Sequence, residues 1–568
     1  MADAISMDRL PHHEPIGQFL LRRLAELGLS HVFGVAGDFN LELLEQLESF
    51  DGLDWVGCCN ELNASYAADG YARTHGLGAL ITTYGVGELS ALCGIAGAFS
   101  EHLPVIAITG APPISEIARK GLLHHTAGDG NFDNMMTCGR QFSVAQARIT
   151  PQNAVSEIDR VLRACVLQKQ PVYLQLPSDL AYIKIETPRA PLSIAFKSDP
   201  EMLADFIGAV VQRLAASSSV AILVDSDVAR YRQSKKVTEL AELIGAAIAV
   251  MGTAKGVIDE TNPLYMGIYA GAASQPGVQE TIERAECLIQ LGVRFIDSTT
   301  GSFTEHIDPE TCIEINAWSG KVDHDDFQGI CMSEVLDKLI SNVETDPQRL
   351  RYIKPIKPAE ADMNAPAKLT QAWFWRRMAS FVQVGDIIVA ENGTSLSGVS
   401  GMPLPPDTDV ISQALWGSIG YSLPATFGSL LAAPERRHIL FIGDGSFQLT
   451  VQELSSILRH HLKPIIFLLN NDGYTIERLI LGENSSYNDV QPWKYASLCD
   501  VFSSHGDHDS CRINSTSELE TALGRCDDPR KLYFFEVMLE RMDAPDALKT
   551  LGKVYARQDY GSAWVAER

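Results

Sequence analysis

"ILFIGDGSFQLTVQELSSILRHHLKPIIFLLNNDGYTIE" runs from residue 439 to 477. Its opening run, ILFI, reads as a buried strand that ends in Gly443-Asp444-Gly445. A helix beginning near Ser446 follows, with apolar positions at Leu449, Leu454, Ile457 and Leu458. A second apolar run, PIIFLL, ends in Asn470-Asn471-Asp472-Gly473. A strand–helix–strand crossover sets two parallel strands side by side, so both deliver residues to one carboxyl edge, where open α/β sheets bind ligands. Asp444 offers a carboxylate, Asn471 an amide oxygen and Gly473 a backbone carbonyl. Three hard oxygens suit a magnesium ion that completes its octahedron with diphosphate oxygens and water. The helix start points its N–H groups and positive dipole end at the same place. The stretch therefore predicts a diphosphate held through a metal.

The rest of the chain has the same character. Two proline-rich stretches of mixed charge, 187–202 and 355–369, read as linkers and cut the 568 residues into three similar pieces. Each piece alternates short apolar runs with helical patterns, the signature of βαβ units. The first offers HVFGVAG, DWVGCCN, GALITTYG and LPVIAITGAPP as strands. The middle offers SVAILVDSD, AAIAVMG, CLIQLGVRF and CIEIN, and the last DIIVAENG, HILFIGDG, PIIFLLNNDG and KLYFFEVML. The expected fold class is α/β, in three consecutive domains at 13–186, 203–354 and 370–568, each a mainly parallel sheet flanked by helices. The tail ALKTLGKVYARQDYGSAWVAER carries no motif that assigns it.

The 46 Lys+Arg against 71 Asp+Glu leave a net charge of −25, which argues against nucleic acid or an anionic membrane as a partner. The 11 cysteines are scattered with no C-x-x-C pair, so neither a zinc framework nor a disulfide scaffold is indicated. No apolar run approaches a membrane span, and the start has no charged-then-apolar signal pattern. A reduced, cytoplasmic protein is expected.

Two further features ask for chemistry. Glu61, in VGCCNELNASYAADGYAR, follows a strand and opens a helix. In GLLHHTAGDG (121–130), His124 and His125 are adjacent. Neighbouring side chains diverge in helices and strands, so the pair is expected not to grip one metal ion together.

The GDG and NN pairs, 24 residues apart, together with the segment around Glu61, resemble the thiamine diphosphate enzymes. Over about residues 15–545 the chain is most similar to the non-oxidative 2-oxo acid decarboxylases, and within them to the indolepyruvate and branched-chain subgroup. The resemblance implies thiamine diphosphate and Mg2+ as cofactors, with Asp444, Asn471 and Gly473 on the metal. It makes Glu61 the acid beside the aminopyrimidine ring. Thr394, Gly417, Ile419, Gly443, Gly445, Ser446, Tyr474 and Ile476 complete the cofactor's contacts. Within that set, Gly417 accepts the amino group through its carbonyl and Ile419 wedges the two rings into a bent shape. Asp38, His124 and His125 become a proton relay, and Glu477 acts near the substrate carboxylate and at product release. After CO2 is lost, a proton must be delivered and an aldehyde released, which is why donors and acceptors are needed there.

Leu396 stands where bacterial pyruvate decarboxylases carry Trp, and Asp297 where they carry Tyr. Both changes imply a roomier pocket, whereas Ile476 and Ile480 keep bulk and Leu481 replaces the subgroup's usual His. The implied activity is decarboxylation of a 2-oxo acid to an aldehyde and CO2, with a preference for large aromatic or branched side chains and pyruvate as the alternative. A less favoured reading is an acetolactate synthase-like carboligase, which the histidine pair argues against. A silent member used for assembly is opposed by the intact Glu61, Asp444, Asn471 and Glu477. Outside the family, Gly85 and Gly87 begin a G-x-G-x-x-G pattern of a nucleotide-binding regulatory protein, but its third position is Ser90. The family further implies a homo-oligomer, a dimer of dimers with active sites at subunit interfaces. Its middle domain joins the outer two and in some members binds regulatory substrate.

Overall fold

The structure, a computed structural model, describes residues 12–345, 368–503 and 505–561. They fall into two compact units, one within Met1–Phe196 and Pro424–Pro434, the other within Lys197–Leu423 and Glu435–Arg568. The first unit holds one large sheet and the second holds two.

The first sheet comprises β1 (His31–Gly34), β2 (Asp54–Gly57), β3 (Gly78–Thr83), β4 (Val105–Ala111), β5 (Ala145–Arg148) and β6 (Val172–Pro177) in the order β2-β1-β3-β4-β6-β5, every pairing parallel. An antiparallel ribbon of His12–Pro15 with Lys184–Thr187 closes this unit's ends together. The second sheet comprises β7 (Val220–Val224), β8 (Ala247–Met251), β9 (Tyr265–Tyr269), β10 (Cys287–Leu291), β11 (Cys312–Ile315), β12 (Ser319–Val322) and β13 (Asp325–Gln328) in the order β9-β8-β7-β10-β11-β12-β13. Its last two pairings are antiparallel. The third sheet comprises β14 (Ile387–Ala390), β15 (Asp409–Ile411), β16 (His438–Gly443), β17 (Ile465–Asn470), β18 (His508–Ile513) and β19 (Leu532–Met538) in the parallel order β15-β14-β16-β17-β19-β18.

Central strands are buried on both faces because helices cover both sides of a parallel sheet, and this explains their unbroken apolar runs. β16 and β17 are buried throughout except at their last residues, Gly443 and Asn470. The ranges 13–186, 203–354 and 370–568 each enclose one large sheet; of these, 346–354 and 562–568 lie outside the described residues, as does 355–367 of the second expected linker. Among the described residues no helix is long and apolar enough to cross a membrane.

The helices that matter for the site are α1 (Glu61–His75), α2 (Val86–Ser100), α3 (Thr394–Gly401), α4 (Ser422–Ala432), α5 (Asp444–Thr450), α6 (Glu453–Arg459), α7 (Thr475–Ile480) and α8 (Asp546–Tyr560). The single helix expected after the GDG motif starts at Asp444 rather than near Ser446, and it is broken into α5 and α6. Leu454, Ile457 and Leu458 are buried, but Leu449 is 49% exposed and takes no part in the core.

Candidate active site

In the second unit, the parallel register of β16 on β17 sets Gly443 opposite Leu469, so Asp444 and Asn471 leave the sheet at one edge. The Asp444 carboxylate is buried and accepts hydrogen bonds from Gly445 N–H (2.9 Å) and Gly473 N–H (3.0 Å). Burial pushes this carboxyl up to about 6, against the pull of those two donors. Asn471 is buried, and Thr475 Oγ1 holds its amide nitrogen at 2.7 Å.

Gly473 has φ +118°, and a Cβ there would lie 2.2 Å from the Asn488 carbonyl oxygen, so only glycine fits. Tyr474 and Arg478 bond that same carbonyl, which fixes the turn into α7. A Cβ on Gly445 would strike the Tyr474 ring. Ser446 and Thr394 are buried at the starts of α5 and α3.

Next to this edge, the loop before α4 is sewn in place by Glu391, a residue the sequence reading did not single out. Its buried carboxylate accepts from Gly420 N–H, Ser422 N–H and Ser422 O–H, and desolvation raises its pKa. Gly417, at φ +67°, donates its N–H to the Gln413 carbonyl at 3.0 Å. Thr450 Oγ1 donates to the Gly420 carbonyl at 2.6 Å, tying the loop to α5. Ile419 is 36% exposed, although large apolar side chains are usually covered. Ser395 is buried, and its Oγ has no hydrogen-bond partner among the described residues. A buried carboxylate, an amide and a glycine backbone at one strand edge supply hard oxygens for a magnesium ion. The orphaned Ser395 hydroxyl and the uncovered Ile419 suit a group with polar and apolar parts. The residues fit thiamine diphosphate with magnesium.

α7 presents Glu477 exposed and Ile476 and Ile480 half-buried, one turn apart. Leu396, expected to widen the substrate pocket, packs against the core of its own domain. Asp297 lies in a short 3-10 turn, where its charge faces Tyr555 of α8. α8 in turn packs on α7, with a Cβ built on Gly552 falling 2.8 Å from Leu479 Cβ. Asp297 and the α7 residues are thus bracketed by the segment that no motif assigned.

In the first unit, Asn60 caps α1 by accepting the Asn63 N–H at 2.8 Å, which sets Glu61 at the helix's first turn. Glu61 is half-buried, and a Cβ on Gly87 would sit 3.1 Å from its Oε1. Thr83, at the end of β3, is a second residue missed in the sequence. It is buried between Gly37 and Gly87, and its Oγ1 has no hydrogen-bond partner among the described residues. Gly85 and Gly87 lie against the His125 carbonyl and the Glu61 carboxylate.

Asp38, His124 and His125 do come together. His124 Nε2 lies 2.6 Å from Asp38 Oδ2, and His125 Nε2 lies 3.7 Å from Asp38 Oδ1. The rings are 4.7 Å apart, centroid to centroid. Adjacent histidines are expected not to grip one ion easily, yet both rings lie on the same side near one carboxylate. His125 has φ +60°, outside helix and strand geometry, and the turn swings both rings to one side. The loop is seated by Leu123 against the Phe39, Tyr84, Ala111 and Phe132 cluster. Phe39 also stacks on His124 at 5.1 Å.

Comparison with known proteins agrees with this geometry. Three family models match: the thiamine pyrophosphate enzyme N-terminal TPP binding domain over 15–133, the central domain over 207–330 and the C-terminal TPP binding domain over 395–537. Curated relatives match nearly end to end. They include pyruvate decarboxylase of Candida glabrata (38% identical, covering 95% of this chain and 98% of the relative) and pyruvate decarboxylase isozyme 1 of Saccharomyces cerevisiae (39%, 95% and 98%). An alpha-keto-acid decarboxylase of Mycobacterium avium is 40% identical over 94% of this chain and 96% of the relative. The chain belongs to the thiamine diphosphate-dependent 2-oxo acid decarboxylases, carboxy-lyases of α/β fold.

Proposed function

We propose that this decarboxylase acts principally on pyruvate, releasing acetaldehyde and CO2, and that its range extends to somewhat larger 2-oxo acids. The observation that carries the substrate is the end-to-end similarity to relatives named pyruvate decarboxylase. This replaces the expectation of a preference for large aromatic or branched side chains. Leu396 is partly buried against the domain core, which weakens the argument that a smaller residue there enlarges the pocket. Ile476 and Ile480 retain bulk on α7. The broader range is favoured by the relative named alpha-keto-acid decarboxylase and by Asp297 in place of a large ring.

In this reading Asp444, Asn471 and the Gly473 carbonyl hold Mg2+, and Ser446 and Thr394 contact the cofactor at the helix starts. Gly417 and Ile419 support the cofactor on the loop that Glu391 fixes, and Glu61 hydrogen-bonds its aminopyrimidine ring. When bound, thiamine diphosphate supplies the nucleophilic carbon and the electron sink that loss of CO2 requires. The chain's own task is the proton. Asp38 and His124, 2.6 Å apart, hold one between a carboxylate and an imidazole, and His125 stands within reach of the same carboxylate. That proton would go to the carbon that has lost CO2, and the residue left deprotonated could then take the hydroxyl proton as the aldehyde parts from the cofactor. Glu477, exposed on α7, acts where the substrate carboxylate departs. The same reading makes the enzyme a cytoplasmic homo-oligomer with Glu61 of one subunit serving the metal residues of another.

A coupled aldehyde assay over a panel of 2-oxo acids tests the substrate claim. kcat/KM for pyruvate is expected to exceed that for phenylpyruvate at least tenfold, with activity dependent on both thiamine diphosphate and Mg2+. One methylene is worth only about 1–3 kcal/mol in such a pocket, so 2-oxobutyrate is expected to follow closely. A preference for phenylpyruvate would overturn the substrate and leave the reaction class standing.

A further inference from the structure

We propose that Asp38, His124 and His125 form a second metal site, one that takes a borderline divalent cation of the zinc class. A carboxylate oxygen and two imidazole nitrogens of these residues all lie within 4.8 Å of one another. In a tetrahedral zinc site with bonds of about 2.0–2.1 Å, ligand atoms lie about 3.4 Å apart. His124 Nε2 lies 2.6 Å from Asp38 Oδ2 and His125 Nε2 lies 3.7 Å from Asp38 Oδ1, so the shorter contact must open and the carboxylate turn for the three groups to meet around one ion.

The ligand chemistry separates this site from the oxygen cluster at Asp444. Imidazole-rich sets select zinc, cobalt, nickel or copper, and all-oxygen sets select magnesium. The backbone also favours a set of this kind. His125 is held at φ +60°, and its carbonyl sits against Gly85, where a Cβ would lie 1.9 Å from that oxygen. Phe39 stacks on one ring and meets the other edge-on, which restrains both imidazoles toward Asp38. Within their own chain the three side chains are not walled off, with His124 61%, Asp38 46% and His125 33% exposed, which leaves a position for a water ligand. Three protein ligands with an open position are the pattern of accessible zinc sites.

Occupancy by the cation ties up both imidazoles and the carboxylate, and decarboxylation stops; this consequence, unlike the site itself, rests on the proton-handling role proposed above. The test uses the holoenzyme with thiamine diphosphate and saturating Mg2+, and Co2+ as the probe. About one Co2+ per chain is expected to bind with visible d–d absorption of low-coordinate geometry, and activity is expected to fall in step. His124→Gln and His125→Gln are each expected to weaken Co2+ binding at least tenfold while circular dichroism confirms the fold. Co2+ binding that is unchanged in both variants, or absent below millimolar concentration, overturns the site. Binding that leaves turnover intact overturns the arrest and counts against the proton role, with the site itself retained.

Discussion

At the scale of single residues, two glycines divide the work of the site. Gly85 (φ +65°) presses on the His125 carbonyl, and Gly473 (φ +118°) presses on the Asn488 carbonyl beside Asp444. A side chain at either adds a left-handed strain of about 1–2 kcal/mol and a clash that something must relieve. The consequences should differ because the neighbours differ. Gly85→Ala is expected to lower kcat at least tenfold while cofactor is retained through gel filtration. Gly473→Ala is expected to lose thiamine diphosphate on the same column. Gly128→Ala is the control, since it has φ +70° but no atom within 4 Å of the added carbon, and it should leave both readouts nearly unchanged. If Gly85→Ala instead emptied the cofactor site, the histidine loop would be structural. Asp444, Asn471, Glu61 and the histidine pair are legible in the sequence because chemistry restricts their types and spacing. Glu391 and Thr83 are not, because a buried acid or hydroxyl leaves no pattern until its neighbours are known. The joint reach of His124 and His125 is hidden for a related reason. It depends on one backbone angle at His125, which no side-chain periodicity encodes.

At the scale of elements, the start of α2 couples the histidine loop to the interior. Glu88 accepts the Gly85 N–H at 2.8 Å and the Tyr173 O–H. Tyr173 receives a bond from Gln175, which is held by Arg148. Tyr84 and Arg148 are the other titratable groups that act on Glu88, and the dominant influence is burial, which pushes its carboxyl from 4.5 up to about 7. The folded state therefore binds this proton more tightly than the unfolded chain. The resulting stability is fully present below about pH 4.5 and is lost as pH rises through about 7, and it amounts to at most about 3 kcal/mol. Glu88→Gln is neutral throughout; its amide oxygen can keep the Gly85 N–H bond, while its NH2 donates to the Tyr173 oxygen in place of accepting from it. Its urea midpoint is expected to fall less than the wild type's between pH 5 and 8, and parallel profiles would refute this. The strands show the same boundary between legible and hidden. Central strands announce themselves as apolar runs. Edge strands β5 (AQAR), β13 (DDFQ) and β18 (HDSCRI) do not, because solvent on their open side removes the need for apolar residues. β6 is central but is interrupted by the buried Gln175. α8 stayed unassigned because its buried positions, Leu548, Gly552 and Ala556, follow helical spacing with two small residues, which gives too little hydrophobic contrast.

At the scale of the whole molecule, the proposed site residues are split between two compact units, with Glu61 in the first and Asp444 in the second. Under the proposed oligomer, a working site takes Glu61 from one subunit and the metal residues from another. Complementation reads this out directly. Glu61→Gln and Asp444→Asn are each expected to reduce turnover at least a hundredfold when every subunit carries the change, since each removes a group that the proposed reading assigns to the cofactor. When the two variants are co-expressed with different tags and purified through both, each hybrid pair carries one of each subunit. If sites are shared across subunits, one site of the pair receives both lesions and the other receives neither, and turnover returns to about half the wild-type rate per mixed dimer. If each subunit supplied its own site, every site would carry one lesion and the mixture would stay as inactive as its parents. The Glu61→Gln parent should still bind Mg2+ and diphosphate, whereas Asp444→Asn should not, because only the latter removes a buried carboxylate from the oxygen cluster. Recovery of activity together with cofactor in half of the sites is therefore the expected result.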